Sequence, residues 1–385
     1  MIDPVAAAQS LIRCPSVTPE EGGALDCLQA ELESLGFECW RLPFSDVDTP
    51  DVDNLFARIG SGGRHLCFAG HTDVVPPGDE SLWTHPPFSG TLEDGVLHGR
   101  GAVDMKGNVA CWLAACAGFL SDQNGVFDGS VSLLITGDEE GPSINGTRKV
   151  LEWMDANGHI PDFCIVGEPS CTAEIGDVIK NGRRGSLNGV ITVRGIQGHS
   201  AYPEKADNPV VRLARIVDAI MSTPLDAGTE HFQPSTLQVT TMDVGNPATN
   251  VIPAEAVARF NVRFNTEHSP ASIEAWVRER CNIFSEDYTL DISVSGDSFV
   301  TSPGGELDVI SSAIAAATGI RPELSTGGGT SDARFVKNYC QVVEFGLVNK
   351  TIHAVDERVG VDDLYKLTAA YAEIIRQYFT RVSGG

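Results

Sequence analysis

Basic residues are scarce in this chain: 27 lysines and arginines stand against 52 aspartates and glutamates, a formal net charge of −25 over 385 residues. So acidic a surface repels phosphate backbones and anionic membranes, and neither nucleic acid nor a membrane is an expected partner. An anionic ligand would need arginines placed locally against the overall field. Ten cysteines occur without one Cys-x-x-Cys pair, and Cys67, Cys111, Cys116 and Cys164 lie inside apolar runs. That usage excludes a zinc ribbon or disulfide framework and reads as buried, reduced thiols of a cytoplasmic protein. Long apolar runs are missing as well, since the longest, 109–120, is too short to span a bilayer. The start, Met1-Ile2-Asp3-Pro4-Val5, has no basic segment and no apolar core; it reads as a helix cap and first turn, not a signal peptide. No internal repeat or low-complexity segment is visible.

What is present is globular, with 42% hydrophobic and 21% charged residues. The length exceeds one ordinary core, so two domains are expected. Ala24, Leu25, Leu28, Leu32 and Leu35 repeat at helical spacing and Gly36 ends that helix. Strand-like runs then alternate with helices as far as Glu168, which predicts a mixed or parallel sheet covered by helices. The pattern changes after Arg184. A β-branched run (189–195), a helical pattern (209–221), strands at 235–244 and 256–264, a helix at 273–284 and a cleanly alternating strand from Tyr288 follow. That β-α-β-β-α-β order is ferredoxin-like. The expected division is a discontinuous catalytic domain, 1–184 with 297–385, carrying an inserted α+β domain at 185–296.

Three apolar runs each end in ligand-type side chains. Leu66-Cys67-Phe68-Ala69-Gly70 runs into His71-Thr72-Asp73, Leu133-Leu134-Ile135-Thr136 into Gly137-Asp138-Glu139-Glu140-Gly141, and Phe163-Cys164-Ile165-Val166-Gly167 into Glu168-Pro169. Burying adjacent carboxylates is costly without a cation, and ligands of α/β proteins gather at the carboxyl ends of strands. Adjacent glutamates allow one to bind metal while its neighbour stays free as a base. Each residue also has an ordinary reading. His71-Thr72-Asp73 alone is a turn, Asp104 a cap for a helix starting near Asn108, Glu168 a loop residue and His353 a surface histidine. Their joint occurrence in this order argues for a metal site, with Asp73 accepting from the His71 imidazole.

Those segments, with Gly99-Arg100-Gly101-Ala102-Val103-Asp104-Met105-Lys106-Gly107 and the late His353, resemble the zinc-dependent carboxypeptidase, aminoacylase and deacylase superfamily over nearly the whole chain. Three further stretches resemble its branch acting on N-succinyl amino acids: Asn181-Gly182-Arg183-Arg184-Gly185-Ser186, Gly195 to Pro203, and Thr326-Gly327-Gly328-Gly329-Thr330-Ser331-Asp332. No Gly-Lys-Ser/Thr follows the triple glycine, so a nucleotide cradle is not the reading.

The resemblance implies a zinc exopeptidase-like mixed α/β domain with a ferredoxin-like lid and dimerisation domain, in a homodimer. It implies two zinc ions per subunit, which cobalt or manganese can replace. Asp104 would bridge them, His71 and Glu168 completing one site and Glu140 and His353 the other. Glu139 would be the general base and His199 the oxyanion donor, reaching the partner subunit's site. Arg183, Ser186, Gly329, Thr330 and Arg334 would hold the succinyl end, with Tyr202 and Asn250 as further contacts; Arg263, on the polar face of its strand with Arg259 and Asn261, is a further candidate on the residue pattern alone. The implied reaction is hydrolysis of N-succinyl-LL-2,6-diaminopimelate to succinate and LL-2,6-diaminopimelate, on the route to lysine. Other N-acyl amino acid deacylases (an acetylornithine deacetylase, for one) or a carboxypeptidase are the alternatives within the class. A non-catalytic metal-binding scaffold is the alternative outside it.

Overall fold

The computed structural model describes residues 2–380. They divide into two compact units, 2–181 with 301–325 and 331–380, and 182–300 with 326–330.

The first unit is built on an eight-stranded mixed sheet. Its order is Glu38–Arg41, Leu55–Ser61, Gly129–Thr136, Arg64–His71, Phe163–Val166, Gln341–Glu344, Val178–Lys180 and Glu323–Ser325. The middle strands 129–136, 64–71, 163–166 and 341–344 are mutually parallel, so all four release their chains at one edge. The apolar runs of the sequence are these strands, buried on both faces as parallel strands must be. Helix Lys106–Asp122 is buried almost along its whole length because alanine, cysteine and glycine let its neighbours approach. It packs against Pro4–Ile12 and Val361–Thr380. Trp112 stacks on Phe68 at 4.8 Å and meets the edge of Tyr371 at 5.2 Å, and truncating so buried a side chain to alanine costs about 3–5 kcal/mol.

The second unit carries a four-stranded antiparallel sheet in the order Thr236–Asp243, Glu255–Phe264, Gly185–Arg194, Tyr288–Gly296. Helices Pro209–Ser222 and Pro270–Phe284 complete the ferredoxin-like order and share its core with the buried sheet face. The first strand starts at Gly185, four positions ahead of the expected 189. Glycine is required there, since a Cβ on Gly185 or Gly189 would lie 2.1 Å from the ring of Phe264 or Phe260.

The units meet the chain at slightly different places from those expected. Phe299–Val300 pairs with Gly182–Arg183, which carries the second unit outward from 185 and 296. Residues 326–330, expected in the catalytic domain, group with the second unit: Thr326 Oγ1 donates to the His231 carbonyl at 2.6 Å, and Arg183 donates to the Gly329 carbonyl. Among the described residues no helix is long and apolar enough to cross a membrane.

Candidate metal centre

His71 closes its strand, Glu139 and Glu140 follow Thr136, and Glu168 follows Val166, so three adjacent parallel strands deliver them to one edge of the sheet. Asp104 comes from the turn before helix Lys106–Asp122. His353 comes from the loop before Arg358–Gly360, held at a φ of 57°.

In two triads, His71–Asp104–Glu168 and Asp104–Glu140–His353, one nitrogen or oxygen from every member lies within 4.8 Å of the others. Asp104 belongs to both. Its Oδ1 lies 3.2 Å from His71 Nε2 and its Oδ2 3.3 Å from His353 Nε2. Glu168 Oε1 is 3.7 Å from His71 Nε2, and Glu140 Oε1 is 2.8 Å from His353 Nε2. His71, Glu139 and Glu140 form a third such group.

The charges are lopsided: Asp73, Asp104, Glu139, Glu140, Glu168 and Asp332 crowd around two imidazoles. Burial and then repulsion from Asp104 lift the Glu168 carboxyl to about 7. Burial, with Glu168 and Asp332 alongside, lifts Glu139 well above the carboxylate range. Burial alone would lower His71, but Asp104 and Glu168 hold it well above an ordinary histidine. Hydrogen bonds to Asp104 and Glu140 raise His353 to about 10. Asp104, although buried, is pulled below the usual range by His353 and His71. Such a cluster calls for cations.

The donors also fit them. His71 Nε2 and Asp104 Oδ1 are buried, face each other at 3.2 Å and have no further hydrogen-bond partner among the described residues. An orphaned polar pair is costly, and a divalent cation satisfies both lone pairs. Oxygen and imidazole ligands suit zinc and its neighbours in the first row.

Two local readings change. Asp104 does not cap the following helix, which begins at Lys106 after Met105 and has no side-chain cap. His71 Nδ1 donates to the backbone carbonyl of Asp73 at 2.8 Å, while the Asp73 carboxylate lies 3.6 Å away, too far for a hydrogen bond. That carboxylate accepts instead from the N–H groups of Glu140, at 3.0 Å, and Glu139, at 3.3 Å.

Arg334, in this same unit, lies over the Phe335 ring at 4.6 Å and lowers the neighbouring Asp332 by its charge, although burial leaves Asp332 raised overall. The remaining candidates belong to the second unit. Arg183 reaches Gly329, and Thr330 adjoins them. Ser186 is buried and registers opposite Arg263, which alternates with buried neighbours along its strand and bonds Asn261 Oδ1 at 3.2 Å. His199 sits in a short ladder with Val251, against the ring of Tyr202 and beside Asn250, whose carbonyl accepts from Ser200. Its Nδ1 accepts from the Ala201 N–H at 3.1 Å, so a neutral imidazole carries its proton on Nε2.

Sequence reasoning passed over Asp332, whose Oδ2 accepts from Thr147 at 2.6 Å and whose Oδ1 is buried with no hydrogen-bond partner among the described residues. It also passed over the buried pair Arg100–Glu357. Charged residues inside Gly99-Arg100-Gly101 and just after His353 were the available signal.

Fold and donor set together describe a metal-dependent hydrolase, and the family follows: residues 67–377 match peptidase family M20/M25/M40, to which the chain belongs. A succinyl-diaminopimelate desuccinylase of Rhodospirillum centenum is 56% identical over 377 residues, covering 98% of this chain and 97% of the relative. Further relatives at 53–54% identity carry the same name. Among solved structures, an aminopeptidase of Bacillus cereus superimposes with a TM-score of 0.79 at 20% identity, over 97% of this chain and 98% of that one. A Bacillus subtilis protein described as a dinuclear metal-binding peptidase of the M20 family reaches 0.73 at 16% identity, over 98% of each.

Proposed function

We propose that the chain hydrolyses N-succinyl-LL-2,6-diaminopimelate to succinate and LL-2,6-diaminopimelate. The observation that carries this reading is the 56% identity, across nearly the full length, to a relative named for desuccinylation. The Asp104-centred pair of triads supplies chemistry that suits it.

His71 and Glu168, with Glu140 and His353 and with Asp104 shared, would hold two divalent cations, zinc with cobalt able to substitute, and these would supply an acidified water and a polarised carbonyl. Glu139 is the group assigned to accept a proton from the attacking water and to return it to the departing amine. Burial, with the charges of Glu168 and Asp332, raises its affinity for protons, and bound cations would offset that rise. Asp73, by anchoring the N–H groups of Glu139 and Glu140, holds base and ligand in a fixed relation. His199, with its proton on Nε2, is the donor to the developing oxyanion.

The substrate brings three carboxylates to an acidic protein. Arginine forks meet them best, and Arg183 and Arg334 are assigned to the succinyl end with Ser186, Gly329 and Thr330. Arg263, Tyr202 and Asn250 are further substrate contacts. The proposed assembly is a cytoplasmic homodimer joined through the inserted unit. Purified protein assayed against N-succinyl and N-acetyl substrates tests the reading: preference for succinyl-diaminopimelate supports it, and preference for an acetyl substrate replaces it with the deacetylase alternative.

A further inference from the structure

Four residues beyond His353, Glu357 is fully buried. Its Oε1 accepts the N–H groups of Val103 at 2.8 Å and Asp104 at 3.0 Å. Its Oε2 accepts the Gly101 N–H at 3.0 Å and Arg100 Nη1 at 2.8 Å. One carboxylate thus satisfies three backbone donors of the turn that carries Asp104. The same guanidinium also donates to the carbonyls of Ala354 at 3.2 Å and His353 at 3.5 Å. Trp83 closes over it, its ring 5.2 Å from Arg100 Cζ.

A buried ion pair is weak evidence of stability, since desolvation offsets most of the attraction. This one is connected differently from a simple staple. Every bond it makes ends on the turn of Asp104 or the loop of His353, the two irregular segments of the centre, whereas His71, Glu140 and Glu168 come straight off the sheet. We infer that Glu357 and Arg100 are positioning residues for metal binding. Glu357 sets the backbone of Asp104 and, through Arg100, ties it to His353, so that the two triads are assembled together. This rests on reading the triads as metal sites.

The test is a cobalt titration of the full chain after metal removal, read by visible absorption in competition with a chelator. Wild type taking up two equivalents establishes the metal reading independently; failure there sinks that reading, not the role of Glu357 and Arg100 alone. Glu357→Gln leaves one acceptor oxygen and turns an NH₂ toward backbone donors. Because Asp104 serves both triads, both dissociation constants rise, on the scale of 10–100-fold seen when outer-shell partners of ligands are lost. Arg100→Lys keeps the charge but cannot span Glu357 and both carbonyls, so one constant, that of the His353 triad, rises more than the other. If Glu357→Gln does not fold, by circular dichroism, Arg100→Lys decides. A folded variant with a lower melting temperature but unchanged cobalt affinities overturns the inference, because the pair then serves only the fold.

Discussion

His71 donates its Nδ1 proton to the main-chain oxygen of Asp73, 2.8 Å away, and not to that residue's carboxylate. A carbonyl can only accept, so in the neutral ring the proton sits on Nδ1, and Nε2, the atom facing Asp104 and Glu168, is the one left free for a cation. The Asp73 side chain is thereby released to hold the N–H groups of Glu139 and Glu140. One residue organises a proposed ligand through its backbone and the proposed base through its carboxylate.

Glu139→Ala removes the base and no member of either Asp104 triad. Turnover falls roughly 10²–10⁴-fold, the usual scale for a general base, while two metal equivalents are retained. Steady-state kinetics on metal-analysed protein checks this, and near-native turnover sinks the assignment.

Arg183→Ala and Arg334→Ala penalise succinyl substrates more than acetyl ones, because only succinate brings a terminal carboxylate. Each lost charge-assisted contact costs on the order of 1.5–3 kcal/mol in kcat/KM for the succinyl substrate. Equal losses on both substrates would assign these arginines to the amino-acid portion or to the fold. Arg183 already bonds the Gly329 carbonyl, so comparing Arg183→Lys with Arg183→Ala separates charge from fork geometry.

Much of this was legible in the sequence because a strand buried on both faces is an unbroken apolar run, and a polar residue at its end is conspicuous. The runs before His71, Glu139 and Glu168 announced both the strands and their shared edge. The alternation from Tyr288 onward did the same for the second sheet. Arg100, Glu357 and Asp332 were not legible in that way. Their significance lies in partners far along the chain, and a single charged residue among glycines looks like a surface turn. The membership of 326–330 was hidden for the same reason, since it shows in bonds to His231 and from Arg183, residues far away along the chain.

His65 supplies a pH test independent of the centre. Burial first, and then the charge of Arg58, pushes its imidazole down to about 4, and its Nε2 is 2.7 Å from Ser132 Oγ. The unfolded chain takes up that proton near 6.5. Stability from the neutral ring is therefore complete above about 6.5 and is lost as pH falls toward 4. Between pH 7 and 5 the loss is about 2 kcal/mol. Urea unfolding of chelator-treated protein shows a correspondingly smaller loss in His65→Gln than in wild type; identical slopes would contradict a buried neutral histidine.

His199→Ala is expected to lose about 10²–10³-fold in turnover, as when one oxyanion donor is removed, with metal content unchanged. If each histidine serves the partner subunit's site, mixing this variant with Glu139→Ala restores activity, because one site of every heterodimer then has both groups. Demonstrated subunit exchange without recovery of activity would place the histidine elsewhere.

The central claim, that Asp104 joins two cation sites whose filling enables desuccinylation, is tested most directly by one titration. Metal-depleted protein is supplied with zinc while bound metal and turnover of N-succinyl-LL-2,6-diaminopimelate are followed together. Binding that saturates at two ions per chain, with activity rising as they bind and both lost in Asp104→Ala, is the expected result. Full activity in rigorously metal-free protein, or two ions still bound tightly by Asp104→Ala, would contradict it.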